Sequence, residues 1–120
     1  MEVNKILETI IRTLDEKKAM DLAAINVTDL TVIADYFILA TATSATHVRA
    51  LAEEVEDKLL KNGISVGHIE GRATDWILLD YGDIVIHIFG KQSREFYSLD
   101  HMWDDGKRLD ISGYLLEEEK

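Results

Sequence analysis

The sequence predicts an α/β (α+β) chain: a mixed five-stranded sheet with helices packed on it. Two apolar stripes recur at helical spacing, one from Val3 to Leu14 and one from Val48 to Leu60. Short runs rich in β-branched and aromatic residues lie between them and after them, which is the composition of strands. The stretch from Asp75 to Phe89 reads as two strands joined at Tyr81-Gly82, the mark of a hairpin.

Taken in order, Val3, Ile6, Leu7, Ile10, Ile11 and Leu14 give the first helix one buried stripe. Leu22 to Val27 is a short first strand, and Asp29 to Asp35 is either one helical turn or an irregular link. Tyr36 to Thr41 is almost continuously apolar, as a central strand buried on both sides is. Thr43 or Ser44 can cap the second helix, whose stripe is Val48, Leu51, Ala52, Val55, Leu59 and Leu60. Asn62-Gly63 ends it, glycine accepting the left-handed conformation past a helix. Val66 to Ile69 is a third strand, the hairpin supplies the fourth and fifth, and Arg94 to Trp103 is a last, short helix. Gly106 to Lys120 is expected as a tail. Strand, helix, strand from Tyr36 to Ile69 suggests a parallel crossover, which with an antiparallel hairpin makes the sheet mixed.

A chain of 120 residues is expected to be one domain with a real core. At 47% hydrophobic residues and without proline, it should fold end to end. It has no cysteine, which excludes disulfides and thiolate metal sites. No apolar run approaches membrane-spanning length, and the start Met1-Glu2-Val3-Asn4 lacks the features of a signal peptide, so no membrane partner and a cytoplasmic location are expected. Net charge is −10, from 23 acidic and 13 basic side chains. Direct nucleic-acid binding is therefore disfavoured, because that affinity comes from Lys and Arg neutralising phosphates. A basic protein surface suits this charge better, although the charge also serves solubility alone.

Pairing Leu79 with Ile84 across the turn sorts the hairpin into two faces. Ile77, Leu79, Ile84, Ile86 and Ile88 make one aliphatic face, which is core. Trp76, Leu78, Asp80, Asp83, Val85 and His87 make the other. That second face is either a docking surface or the bed of a helix of the same chain. Two long helices cover one side of the sheet and the third is short, which favours docking.

No nucleophile elbow, P-loop or dinucleotide fingerprint is present. His47, His68, His87 and His101 lack metal-ligand spacing; His68, Glu70 and His87 are read as ordinary strand-surface residues rather than a metal site. Asp80 and Asp83 flank the hairpin turn, where they can hold a divalent cation or simply build the turn; turn chemistry is the favoured reading. Thr43-Ser44 is read as a cap, with no glycine to let a phosphate approach. Between Arg94 and Trp103, Phe96, Leu99 and Trp103 share a helical face, while Tyr97 and Met102 point elsewhere and are interface-type residues.

Asp35 to Thr41, then Ser44 and His47-Val48, Glu70-Gly71, the whole run from Asp75 to Phe89, and Arg94 to Asp100 with Met102-Trp103 resemble the ribosomal silencing factor family, also called RsfS or iojap-like. The resemblance covers residues 1–105, leaving 106–120 as the tail. It implies a nucleotidyltransferase-like fold that has lost its catalytic motifs: the turn has no Gly-Ser, and the chain has no Asp-x-Asp or Asp-x-Glu. It further implies no enzyme activity and no cofactor. The implied role is binding of the large ribosomal subunit through its protein L-fourteen, sterically blocking association with the small subunit and repressing translation under nutrient limitation. A homodimer is implied for the free state. The residues expected to contact the partner are Trp76, Leu78, Asp80 and Tyr81, with Tyr97, Leu99 and Met102 beside them. The alternative carried against it is a nucleotidyltransferase-type enzyme using Asp80, Asp83 and a divalent metal.

Overall fold

The stripe of Leu7, Ile10, Ile11 and Leu14 is the buried side of helix α1 (Val3–Glu16). Of the second stripe, Val48, Leu51, Ala52, Val55 and Leu59 are the buried side of helix α2 (Ala45–Lys61), whereas Leu60, expected among them, is exposed. Between and after them run β1 (Met20–Asn26), β2 (Tyr36–Ala42), β3 (His68–Glu70), β4 (Trp76–Asp80), β5 (Ile84–Gly90) and β6 (Lys107–Arg108), followed by a 3-10 turn at Ser112–Tyr114. The computed structural model describes residues 2–32, 34–71, 75–91 and 107–114. The expected helix over Arg94 to Trp103 lies outside the described residues.

The mixed sheet of five strands is present, and the two-residue β6 extends it to the order β3-β4-β5-β2-β1-β6. Strand β6 pairs with β1, and the Leu109 N–H donates to the Ala24 carbonyl. Leu109 and Ile111 then pack against the core, so the first residues of the expected tail join the fold. The parallel pair is β2 with β5; every other pairing is antiparallel. Strands β2 and β3 do run in the same direction, as the crossover through α2 requires, but the hairpin β4–β5 is inserted between them.

The two faces of the sheet are two cores. Helices α1 and α2 lie on the first, with Ile38, Ala40, Ile77, Leu79, Ile84, Ile86 and Ile88 beneath them. The second gathers Ala23, Ile25, Val27, Phe37, Leu39, Val85 and Phe89, with Trp76 and Leu78 packed against it. Alternation along each strand explains the division. Strand β1 starts two residues earlier than its apolar run, because a bulge between Met20 and Ala23, with Asp21 at φ 49°, carries the pairing past the irregularity.

Helix α2 begins as its sequence predicts: the Ser44 hydroxyl accepts the His47 N–H at 3.1 Å. It ends at Asn62, with Gly63 at φ +81°. Among the described residues, no helix is long and apolar enough to cross a membrane.

Candidate docking surface

Asp80 is where the hairpin turn begins to be built. Its carboxylate Oδ1 accepts the Gly82 N–H at 2.8 Å, and the Tyr81 N–H donates to the Ile84 carbonyl at 2.9 Å. Gly82 takes φ +86° at the first central position, which a II′-type turn demands. The register that follows pairs Leu79 with Ile86 and Asp80 with Val85. The expected partner of Leu79 is Ile84, so the turn lies one residue further along, at Gly82-Asp83 rather than Tyr81-Gly82. The correction moves both strands by one residue, which preserves side-chain parity and leaves the two faces as predicted.

The second face of the hairpin is not uniformly open. Strand β5 is interior, between β4 and β2, and all its residues are buried. Val85, Phe89 and His87 therefore belong to the second core rather than to a surface, His87 being only 8% exposed. For β5 this corrects the favoured reading of the whole second face as a docking surface. Within the hairpin the partly exposed residues of this face lie on β4, and the edge strand β3 beside it is open. Trp76, Leu78 and Asp80 are each partly exposed along β4. Beside them on β3, Glu70 pairs with Leu78 and His68 with Asp80, and both β3 side chains are exposed. The result is an apolar strip of Trp76 and Leu78 bordered by the carboxylates of Glu70 and Asp80. His68 Nε2 lies 3.2 Å from Glu70 Oε1, an exposed pair that contributes little to stability.

Trp76 is held from behind. Its indole Nε1–H donates to Nδ1 of His87 at 3.3 Å. Its ring lies 6.0 Å from Phe89 and 6.1 Å from His87, and Phe37 is 5.1 Å from His87 on the far side. These are tilted contacts within the range that stabilises aromatic pairs. Burial pushes the His87 imidazole down to about 4, so the ring is neutral at physiological pH. An Nδ1 that accepts leaves the ring proton on Nε2, which is buried and has no hydrogen-bond partner among the described residues.

Tyr81 does not join this surface. The displaced turn makes it the strand residue opposite Ile84 on the first face, half-buried against the helical core. Burial first, and the Glu56 carboxylate of α2 second, push its phenol up to about 12. A ring projecting beyond the sheet, as expected for a docking role, is thus replaced by one packed under α2. Tyr97, Leu99 and Met102 lie outside the described residues.

The carboxylates do not form a metal centre among the described residues, where no group of three or more His, Cys, Asp or Glu side chains could hold a metal ion. Asp80 serves the turn, the role favoured from sequence. His87 sits two strands from β3 and turns to Trp76 rather than to His68 and Glu70. Sequence reasoning missed that pairing, and it passed over Leu30 and Val32, which expose apolar side chains in the loop between β1 and β2. The signal for the latter was present as two large apolar residues within a segment bounded by Asp29 and Asp35.

Comparison with known proteins agrees at three levels. A family model described as "Ribosomal silencing factor during starvation" matches residues 1–120. The ribosomal silencing factor RsfS of Bacillus subtilis is 35% identical over 112 residues, covering 92% of this chain and 95% of the relative. The protein of the same name from Halalkalibacterium halodurans is 31% identical over 116 residues, covering 96% of this chain and 99% of the relative. A crystal structure of a Chromobacterium violaceum protein superposes with a TM-score of 0.83 at 30% identity, covering 93% of each chain.

Proposed function

We infer the function from membership: the chain belongs to the ribosomal silencing factor family, whose role is a ribosome-associated silencing of translation. Within that role, we propose that the chain binds the large subunit at protein L-fourteen. Bound there, it blocks joining to the small subunit by occupying the surface the small subunit needs. The observation that carries the proposal is the β4 strip. Trp76 and Leu78 stay partly exposed on an otherwise buried face and are bordered by Glu70 and Asp80. Tryptophan is among the side chains most enriched in interface hot spots, and Leu78 beside it extends the apolar contact area. The acidic border and the net charge of −10 suit a basic protein partner and steer the encounter. Tyr97, Leu99 and Met102 are proposed as further contacts from their sequence pattern.

In this reading the chain performs no catalysis and needs no cofactor; it acts by occupancy. Free of the ribosome it is proposed to form a homodimer in the cytoplasm. The domain is proposed to comprise residues 1–105 and the tail 106–120, the tail's first residues adding β6.

Sedimentation with purified subunits tests the binding. The chain should migrate with large subunits at moderate salt and not with small subunits. Its absence from the large-subunit fraction would remove the proposal.

A further inference from the structure

The strip on β4 contains one side chain whose orientation depends on another residue. Trp76 stands at the first position of its strand, beside the edge strand β3. An indole in that position has several rotamers open to it, and ordering a large side chain on binding costs free energy. Here the ring is already ordered. Its N–H is directed inward to His87 Nδ1, and its body leans on Phe89, its cross-strand partner. His87 in turn is fixed between Leu39 of β2 and Leu78 of β4 in the register, with Phe37 against its ring.

Among the described residues, nothing in the turn or in the apolar core requires a histidine at this place. Its cross-strand neighbours are leucines, and Phe37, Val85 and Phe89 belong to the apolar cluster on the same face. Its Nε2 has no hydrogen-bond partner among the described residues, so the ring carries the cost of a buried polar group. The described contact that uses its polarity is the acceptor role toward Trp76.

We propose that His87 is a positioning residue for docking: through Nδ1 it holds the Trp76 indole with its N–H turned inward, so that the apolar face of the ring is presented to the partner. The proposal rests on the reading of Trp76 as an anchor. It adds that the anchor is pre-ordered, and by which atom.

The test uses the full-length chain with three substitutions, each at a temperature where circular dichroism shows it folded. His87→Phe keeps a ring and removes the acceptor. His87→Asn puts an acceptor oxygen where Nδ1 stands, one bond from Cγ. His87→Gln puts its oxygen one bond further out, near the place of Nε2. Binding to purified large subunits is measured beside the indole N–H resonance of Trp76, identified by its absence from the spectrum of Trp76→Ala. In His87→Phe the resonance should move upfield and exchange faster with solvent, and binding should weaken about fivefold, the effect of one net hydrogen bond. His87→Asn should restore both and His87→Gln neither. Wild-type binding by His87→Phe, with Trp76→Ala weakened about tenfold or more, would overturn the positioning role and leave the docking reading standing. Equal rescue by Gln and Asn would also overturn it. Wild-type binding by Trp76→Ala would remove the docking reading, and the positioning role with it.

Discussion

Thr43 and His47 close the turn before α2 onto itself. The Thr43 N–H donates to Nδ1 of His47 at 2.9 Å, and Nε2 of the same ring reaches the Lys17 carbonyl at 2.8 Å, just past the end of α1. The imidazole thus ties the two helix ends together across thirty residues of sequence. It also occupies the Thr43 backbone donor ahead of the helix. Ser44 is engaged too, capping the helix through its hydroxyl.

Replacing that tie should be felt as stability. His47→Ala removes two hydrogen bonds at a partly exposed site, and we expect a loss of about 1–2 kcal/mol in urea unfolding. Large-subunit binding by the folded variant should be unchanged, because the helix that carries His47 packs on the first face of the sheet and Trp76 and Leu78 on the second.

The occupied turn and the engaged Asp80 carboxylate lead to a second expectation. With nucleoside triphosphates and magnesium or manganese, the chain should release no pyrophosphate above the buffer rate. Asp80→Ala should instead lower stability by about 0.5–1.5 kcal/mol, the net value of the bond to the Gly82 N–H. Steady turnover lost in Asp80→Ala would contradict this.

His87 makes stability depend on pH. Its imidazole titrates at about 4 when folded against 6.5 in its ordinary state, because burial disfavours the charged form. Between these values the unfolded chain takes up a proton that the folded chain does not, so its contribution is complete above 6.5 and is lost as pH falls toward 4. At about 1.4 kcal/mol per pKa unit, this group accounts for at most ~3.5 kcal/mol. Urea unfolding from about pH 7 to about pH 4.5 measures it, and His87→Phe should flatten the slope.

Tyr81 provides the complementary check on the faces. Its hydroxyl is buried with no hydrogen-bond partner among the described residues. Tyr81→Phe should therefore leave stability unchanged or raise it by up to about 1 kcal/mol, with ribosome binding intact. Ultraviolet titration should show one phenol ionising near 12. Because the unfolded chain ionises first, near 10, that phenol lowers stability as pH rises between the two values.

The faces of the hairpin were legible in the sequence because alternation survives a shift of both strands together. The turn was not, because Tyr81, Gly82 and Asp83 all suit a turn and only the local hydrogen bonds choose among them. That single ambiguity misplaced Tyr81. The burial of Val85, His87 and Phe89 depends on their neighbours in the sheet and on what packs over its second face, non-local facts no periodicity carries. Strand β6 pairs through two residues, too few to leave a pattern. The Ser44 cap and the Gly63 stop were readable because each is decided within one helical turn. Of the candidate site, Trp76, Leu78 and Asp80 were readable together because they alternate on one strand.

The most direct test of docking through β4 is the joining of purified subunits, measured by light scattering with wild-type chain or Trp76→Ala added. The wild-type chain should lower the fraction of joined ribosomes. Trp76→Ala should need about tenfold more chain for the same effect, the result of losing a hot-spot side chain, while its thermal unfolding stays near that of the wild type. Equal inhibition by the two, or a collapse of stability with inhibition intact in the folded fraction, would contradict a docking surface on this strand.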